Sequence, residues 1–214
     1  MQKELVILGA GGFGREASLL VEEINHDNKK VIWNLLGYID QDPGKWGLKL
    51  RGYPVLGGYE VLEGLADYVE MICVVAETKQ KRKFVEQAQM RGNKFATLIH
   101  PEISLADDVI IGIGTLINTG SILTTNIRIG EHVSINPGCG IGHDSVIGDY
   151  STLMWRVNIS GNVTIGEGCL IGTGATILPG IKVGGWTTVG AGSVVARDLP
   201  EGCTALGIPA RIRQ

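Results

Sequence analysis

The stretch IGEHVSINPGCGIGHDSVI, residues 129–147, places an aliphatic side chain at every sixth position. The same period continues in both directions, from Leu105 to Val195, with sixteen aliphatic residues in phase and none missing. Glycine often follows the aliphatic residue, and a small or β-branched residue often precedes it by two positions. An α-helix would repeat its apolar positions every 3.6 residues, so this period indicates short strands that alternate with turns.

Three six-residue units make a triangular coil of 18 residues, and the aliphatic side chains then stack inside a prism. Consecutive coils are separated by the inter-strand spacing of about 4.8 Å. Residues 99–214 are therefore predicted to form a parallel β-helix of about five coils. In such a helix each residue lies directly below the residue 18 positions further on.

Residues 1–98 follow a different pattern. The apolar run Leu5–Leu8 predicts a buried parallel strand, and Gly9-Ala-Gly-Gly-Phe-Gly14 with a helical stretch to about Ile24 comes directly after it. Further strands are predicted over Val31–Ile39 and Met71–Ala76, followed by a helix over Lys79–Met90. The segment is too short for two mononucleotide-binding halves, so we expect half a Rossmann fold that holds one nucleotide.

Charge and composition exclude several classes of function. The net charge is -3 and no basic block interrupts the chain, which argues against a nucleic-acid partner. No apolar run approaches the length of a membrane span or a signal-peptide core, so we expect a cytoplasmic protein. Four scattered cysteines form no Cys-x-x-Cys pair, and no metal is expected.

The motifs resemble one family over nearly the whole chain. Gly140-Ile-Gly-His143-Asp144-Ser-Val-Ile-Gly-Asp149, the N-terminal glycine loop and Gly37-Tyr-Ile-Asp40-Gln41 are similar to the hexapeptide acyltransferases that include bacterial nucleotide-sugar 4-amino N-acetyltransferases and sialic-acid O-acetyltransferase-like proteins. The resemblance implies a left-handed β-helix and acetyl-CoA as the co-substrate. It also implies a homotrimer, with its sites between neighbouring prisms.

The resemblance assigns the catalytic positions to His143, Asp144 and Gly161. His143 matches the general base, and an imidazole titrates close enough to neutral pH to accept a proton from an attacking amine or hydroxyl. Asp144 matches the acid that raises the basicity of this histidine. Gly161 lies one coil above His143, and its N–H matches the donor that stabilises the oxyanion.

Ligand-binding positions follow from the same resemblance. Thr173 and Ala191 match residues that contact acetyl-CoA, and Thr152 stands where the family commonly has a second histidine at the acetyl carbonyl. The nucleotide-sugar is expected at the glycine loop and at the end of the second strand, on Gly9, Gly11, Gly12, Phe13, Gly14, Asp40 and Gln41.

We therefore expect an acetyl-CoA-dependent enzyme that acetylates an amino group of a nucleotide-linked deoxysugar in surface-glycan biosynthesis, and we expect that group to be the 4-amino group. One alternative is O-acetylation of a sugar or sialic-acid hydroxyl, and another is a non-catalytic scaffold with a nucleotide-sensing head. A zinc enzyme of the carbonic-anhydrase type is disfavoured, because His132 and His143 lie in different columns of the coil and cannot converge on one ion.

Overall fold

A computed structural model describes residues 2–28 and 31–213. These residues form two compact units. The first, which we call the head, contains the described residues up to Ala76 together with Gln80–Pro101. The second contains Glu77–Lys79 and the described residues from Glu102 onward.

The strands and α-helices of the head are β1 Lys3–Leu8, α1 Gly12–Asp27, β2 Trp33–Ile39, β3 Lys49–Leu50, β4 Tyr53–Gly57, β5 Glu70–Cys73, α2 Thr78–Gln89, β6 Lys94–Phe95 and β7 Leu98–Ile99. The main sheet has the order β3-β4-β2-β1-β5-β6. Strands β1, β2, β4, β5 and β6 run parallel, and β3 is antiparallel to β4. The chain therefore reverses its winding at β1, where a parallel α/β sheet leaves a crevice at its carboxyl edge.

The predicted half-Rossmann architecture is confirmed, with shifted boundaries. Helix α1 begins at Gly12 rather than at Arg15, because the glycine loop itself supplies the first helical turn. Gly14 permits this start: a Cβ there would lie 2.1 Å from the carbonyl oxygen of Gly9, so only glycine lets α1 approach β1 so closely. Strand β5 ends at Cys73, three residues before its predicted end.

The second unit is the predicted β-helix. Fifteen two-residue strands recur every six residues, and each ends on one of the predicted aliphatic positions. Leu105 is the exception: the column of strands it would join begins one coil later, at Ile122–Leu123, and Leu105 is exposed. The strands are β8 Ile110–Ile111, β9 Leu116–Ile117, β10 Ile122–Leu123, β11 Arg128–Ile129, β12 Ser134–Ile135, β13 Gly140–Ile141, β14 Val146–Ile147, β15 Thr152–Leu153, β16 Asn158–Ile159, β17 Thr164–Ile165, β18 Leu170–Ile171, β19 Thr176–Ile177, β20 Lys182–Val183, β21 Thr188–Val189 and β22 Val194–Val195.

Three walls of parallel strands enclose the core. The first wall holds β8, β11, β14, β17 and β20, the second β9, β12, β15, β18 and β21, and the third β10, β13, β16, β19 and β22. Every pairing among these strands joins residues 18 apart, for example Gly140 with Asn158. The second wall continues into β23 Thr204–Leu206, which pairs in antiparallel fashion with β24 Arg211–Arg213.

Small hydroxyl side chains tie the coils together at the corners. Ser145 is fully buried, and its Oγ donates to the carbonyl of Ser160 and accepts from the N–H of Val163. Ser151 makes the equivalent pair of bonds with Gly166 and Cys169. A buried hydroxyl therefore satisfies backbone groups of the next coil, which explains the preference for small polar residues two positions before the aliphatic.

Candidate active site

His143 and Asp144 lie at the corner between β13 and β14, where the third wall meets the first; we call this the His143 corner. The Nδ1 atom of His143 lies 2.7 Å from Oδ2 of Asp144. An ionised carboxylate only accepts hydrogen bonds, so the shared proton sits on Nδ1 and Nε2 is left as the basic nitrogen. Both side chains are largely exposed, at 63% and 49%, so a ligand can reach the imidazole.

The carboxylate of Asp144 is held from the coil below. Nδ2 of Asn126 donates to Oδ1 of Asp144 over 2.6 Å. This bond, followed by the contact with His143, holds the pKa of Asp144 below its usual range. Asp144 is therefore ionised at neutral pH and can act as the partner of an imidazolium.

Gly161 lies directly above the imidazole, as the 18-residue arithmetic predicts. A Cβ at this position would be 2.5 Å from Nε2 of His143 and 2.6 Å from its Cε1. Within the described residues the N–H of Gly161 donates no hydrogen bond to the protein, whereas its carbonyl accepts from Gly180. The corner thus combines a basic nitrogen with an available backbone N–H donor.

A shallow groove of about 250 Å³ runs along the third wall beside this corner. Its lining residues recur at intervals of 18, a spacing that could have revealed the groove from the sequence. In the sequence, Gly140, Ile141 and Gly142 stand out only as part of the motif around His143, and no groove was expected there. The lining is Ile122, Thr124, Gly140, Ile141, Gly142, Asn158, Ile159 and Ser160.

The three expected acetyl-CoA residues are not gathered at the His143 corner within one chain. Thr173 lies between β18 and β19, where the second wall meets the third, and Ala191 lies one coil above it. Trp155, 42% exposed, occupies the same column one coil below Thr173. Thr152 is in β15 on the second wall and is fully buried.

His132 lies at a different corner and in a different environment from His143. Its side chain is 1% exposed, and its ring stacks on Tyr150 with centroids 5.4 Å apart. A Cβ on Gly114 would collide with this ring, so the imidazole fills the space above that glycine. His132 therefore packs inside the protein, and its position is unsuited to proton transfer with a ligand.

The head carries a second cavity, of about 320 Å³, at the carboxyl edge of its sheet. Six of the seven residues predicted to bind the nucleotide-sugar line it, and Gly14 is the one that does not. Sequence reasoning missed Lys45, Gln80 and an aromatic pair, Tyr59 and Phe84, whose rings meet edge to face with centroids 4.7 Å apart. The complete lining is Gly9, Gly11, Gly12, Phe13, Ile39, Asp40, Gln41, Lys45, Tyr59, Val74, Val75, Ala76, Gln80 and Phe84.

Asp40 joins β2 to the glycine loop of this cavity. Its carboxylate accepts from the N–H of Ala10 at 2.8 Å, from the N–H of Asp42 at 2.9 Å and from Nζ of Lys45 at 3.0 Å. Burial raises the pKa of Asp40, but these hydrogen bonds and the charge of Lys45 outweigh it and lower the pKa overall. The carboxylate is thus ionised and fixes the glycine loop from the end of β2.

Neither a metal-ligand cluster nor a membrane-spanning helix occurs in residues 2–28 and 31–213. No group of three His, Cys, Asp or Glu side chains there is arranged to hold a metal ion. No helix in the same ranges is long and apolar enough to cross a membrane.

Comparison with known proteins matches both units. Residues 4–88 match the family described as the PglD N-terminal domain, and residues 156–197 match the bacterial transferase hexapeptide family. The structure of WeeI from Acinetobacter baumannii AYE is 30% identical and superposes with a TM-score of 0.87, covering 99% of this chain and 100% of that one. PerB from Caulobacter crescentus, solved with CoA and GDP-perosamine, is 28% identical with a TM-score of 0.87, covering 99% and 97%.

A curated relative agrees with these matches. GDP-perosamine N-acetyltransferase of Escherichia coli O157:H7 is 30% identical over 148 residues, which are 68% of this chain and 65% of that protein, just under two thirds of its length. Fold and site together define a left-handed β-helix transferase with a Rossmann-like head. The chain belongs to the hexapeptide-repeat acyltransferase family of nucleotide-sugar N-acetyltransferases.

Proposed function

We propose that this chain is an acetyl-CoA-dependent N-acetyltransferase that acts on the 4-amino group of a nucleotide-linked deoxysugar in bacterial surface-glycan biosynthesis. The observation that carries the proposal is the His143 corner, where an ionised carboxylate holds Nδ1 and leaves Nε2 facing the position of Gly161. The relatives named for this reaction, and the one solved with CoA and a nucleotide amino-sugar, support it.

The geometry supports a direct transfer. The sugar amine attacks the thioester carbonyl, a C–N bond forms, and the carbonyl π electrons move onto oxygen, where the Gly161 N–H stabilises them. Nε2 of His143 takes the proton from the amine, while Asp144 stabilises the imidazolium. Collapse of the intermediate breaks the C–S bond, and the proton passes from His143 to the departing CoA thiolate.

The nucleotide portion of the acceptor is assigned to the head cavity. The start of α1 and its glycine loop offer backbone N–H groups to a diphosphate, as helix N-termini do in nucleotide-binding folds. Lys45 adds a positive charge to the lining, and the edge-to-face pair of Tyr59 and Phe84 adds an apolar surface for a base.

The active enzyme is a homotrimer in this proposal. His143 and Thr173 occupy different corners of one prism, so a ligand that uses both must lie between two protomers. Light scattering of the purified protein should give three times the 22.8 kDa chain mass, and a monomer at micromolar concentration would contradict it. We also assign the enzyme to the cytoplasm, the compartment that supplies acetyl-CoA.

A thiol-release assay tests the proposed reaction. The purified chain is incubated with acetyl-CoA and a panel of nucleotide-linked 4-amino sugars that includes GDP-perosamine, with the corresponding 4-hydroxy sugars in parallel. We expect thiol release with amino sugars, and loss of about 10²- to 10⁴-fold in kcat for His143→Ala. His26→Ala, an exposed histidine in α1, is the matched control. Release with the hydroxy sugars alone would establish O-acetylation instead, and no release across the panel would overturn the proposal.

A further inference from the structure

The His143 corner is supported by a column of hydrogen bonds that extends two coils downward. Asp144 lies above Asn126, and Asn126 lies above Asp108, at intervals of 18 residues. Thr125 Oγ1 donates to Oδ2 of Asp108 over 2.5 Å, and the backbone N–H of Asn126 also donates to Asp108. Asp108 therefore fixes the turn that presents the Asn126 amide to Asp144.

We propose that Asn126 is a positioning residue for catalysis: it locks the Asp144 carboxylate in the orientation that keeps the proton of His143 on Nδ1 and leaves Nε2 as the base. The inference rests on the proposed function, because it concerns the base of that reaction. Asn126 lies a full coil below the imidazole, and we assign it no contact with substrate.

The Asp144 carboxylate needs a fixed partner because it is exposed to solvent; we call the hydrogen bond from Asn126 to Asp144 the lock. Asp144 is 49% exposed on its side chain, so its carboxylate would otherwise rotate and exchange its partner for water. Each of its two oxygens instead has one protein donor, Asn126 on Oδ1 and His143 on Oδ2. An imidazole without a fixed Nδ1 partner can carry its neutral proton on Nε2, and in that tautomer it cannot accept a proton from the amine.

Backbone conformation alone does not account for this asparagine. Asn126 has a φ of 53°, in the left-handed region that asparagine tolerates, but Asn162 has a φ of 57° at the equivalent turn two coils above. In the described residues the Asn162 side chain makes no hydrogen bond, while its backbone N–H donates to the carbonyl of His143. Asn126 and Asn162 therefore have the same turn conformation, but only the Asn126 side chain donates a hydrogen bond to Asp144.

Three titratable groups surround the Asn126 side chain. Asp108 lies below it, Asp144 above it, and His143 beside Asp144. The Asn126 amide separates the two carboxylates and donates to the upper one, so it offsets their repulsion. Because the cluster is exposed to water, the expected kinetic effect is moderate, about threefold to tenfold in kcat.

The test replaces Asn126 and Asn162 with glycine, which keeps the left-handed turn and removes the amide. Nitrogen-15 spectra of the histidine rings, assigned with His143→Ala, report the tautomer, and carboxyl carbon-13 spectra report the titration of Asp144. For Asn126→Gly we expect a shift of His143 toward the Nε2–H tautomer and a rise of the Asp144 pKa toward its usual range, because the largest cause of its lowering is removed. Asn162→Gly should leave both as in the wild type.

A double variant shows whether the effect of Asn126→Gly comes from the lost hydrogen bond to Asp144 or from a more flexible turn. In an Asp144→Gly background, Asn126→Gly should change neither the His143 tautomer nor kcat any further. If Asn126→Gly alone leaves the tautomer and the Asp144 titration at their wild-type values, the proposal is wrong. Both spectra are recorded without substrate, so a failure of the acetyl-transfer proposal would be seen in the thiol-release assay and not in them.

Discussion

The Gly161→Ala variant should displace the side chain of His143, the proposed general base, without changing its chemistry. The new Cβ would lie 2.5 Å from Nε2 of His143, whereas carbon and nitrogen atoms in contact need about 3.5 Å, so the ring must withdraw by about 1 Å. A misplacement of 1 Å at a reacting group can cost about 10²-fold in rate. We therefore expect kcat to fall by about 10²-fold while the N–H of residue 161 is retained.

Stability should barely change in this variant. The His143 side chain is 63% exposed and can swing into solvent, and Gly161 does not have the positive φ that would strain alanine. Thermal unfolding and the thiol-release assay are measured side by side. Gly64→Ala is the control, since a Cβ there meets nothing within 4 Å.

A double variant decides whether the loss passes through the ring. In a His143→Ala background, Gly161→Ala should cost nothing further, because the displaced group is already absent. A full additional 10²-fold loss would show that residue 161 acts on the reaction independently of His143. A single Gly161→Ala variant that kept more than half of the wild-type kcat would refute the reasoning outright.

Three further predictions concern charges. Asp144→Asn should lower kcat by about tenfold, less than His143→Ala, because the imidazolium loses its counter-ion but the base remains; steady-state kinetics with both variants test this order. Asp40→Ala should raise the KM for the nucleotide-sugar by about tenfold and leave the KM for acetyl-CoA unchanged, since it frees the glycine loop; an equal rise in both would contradict the assignment. Lys81 is fully buried, which lowers its pKa to about 7, so the unfolded chain binds more protons between pH 7 and about 10 and the free energy of unfolding should rise with pH there. Urea unfolding of Lys81→Met should lack this slope.

Period and register were predictable because the β-helix is a one-dimensional stack. A six-residue repeat with three walls leaves no choice but an 18-residue register, and this arithmetic on the sequence alone places Gly161 above His143. The half-Rossmann head was predictable for a similar reason, since a glycine loop between a buried strand and a helix has one common arrangement.

Side-chain direction at the corners was not predictable from the period alone. His143 follows its aliphatic residue by two positions and points outward, whereas His132 follows its own by three, takes a φ of 55° and packs inside. The offset alone does not decide this, because Asp144 also follows its aliphatic residue by three positions, has a φ of 59° and is 49% exposed. His132 is buried by its packing against Tyr150 and over Gly114, which the six-residue period does not encode.

The hydrogen bonds by which Asp40 holds the glycine loop were also not predictable from the sequence. A carboxylate at the end of a second strand predicts a ligand for hydroxyl groups, but the loop geometry turns it toward Ala10 and Lys45. Such a choice depends on where backbone N–H groups point, which no spacing rule encodes. The same holds for Thr152, whose burial follows from packing and not from its place in the repeat.

The hairpin of β23 and β24 has a consequence for solubility. A stack of parallel strands ends in unpaired N–H and C=O groups, and identical ends of two molecules could join through them into fibres. At the end of the second wall the chain reverses, and the outermost strand, β24, carries Arg211 and Arg213, both exposed. Two such ends would bring four guanidinium groups together along one edge, and their repulsion opposes polymerisation. The like charges of Arg211 and Arg213 thus oppose the addition of a further strand at this edge of the second wall.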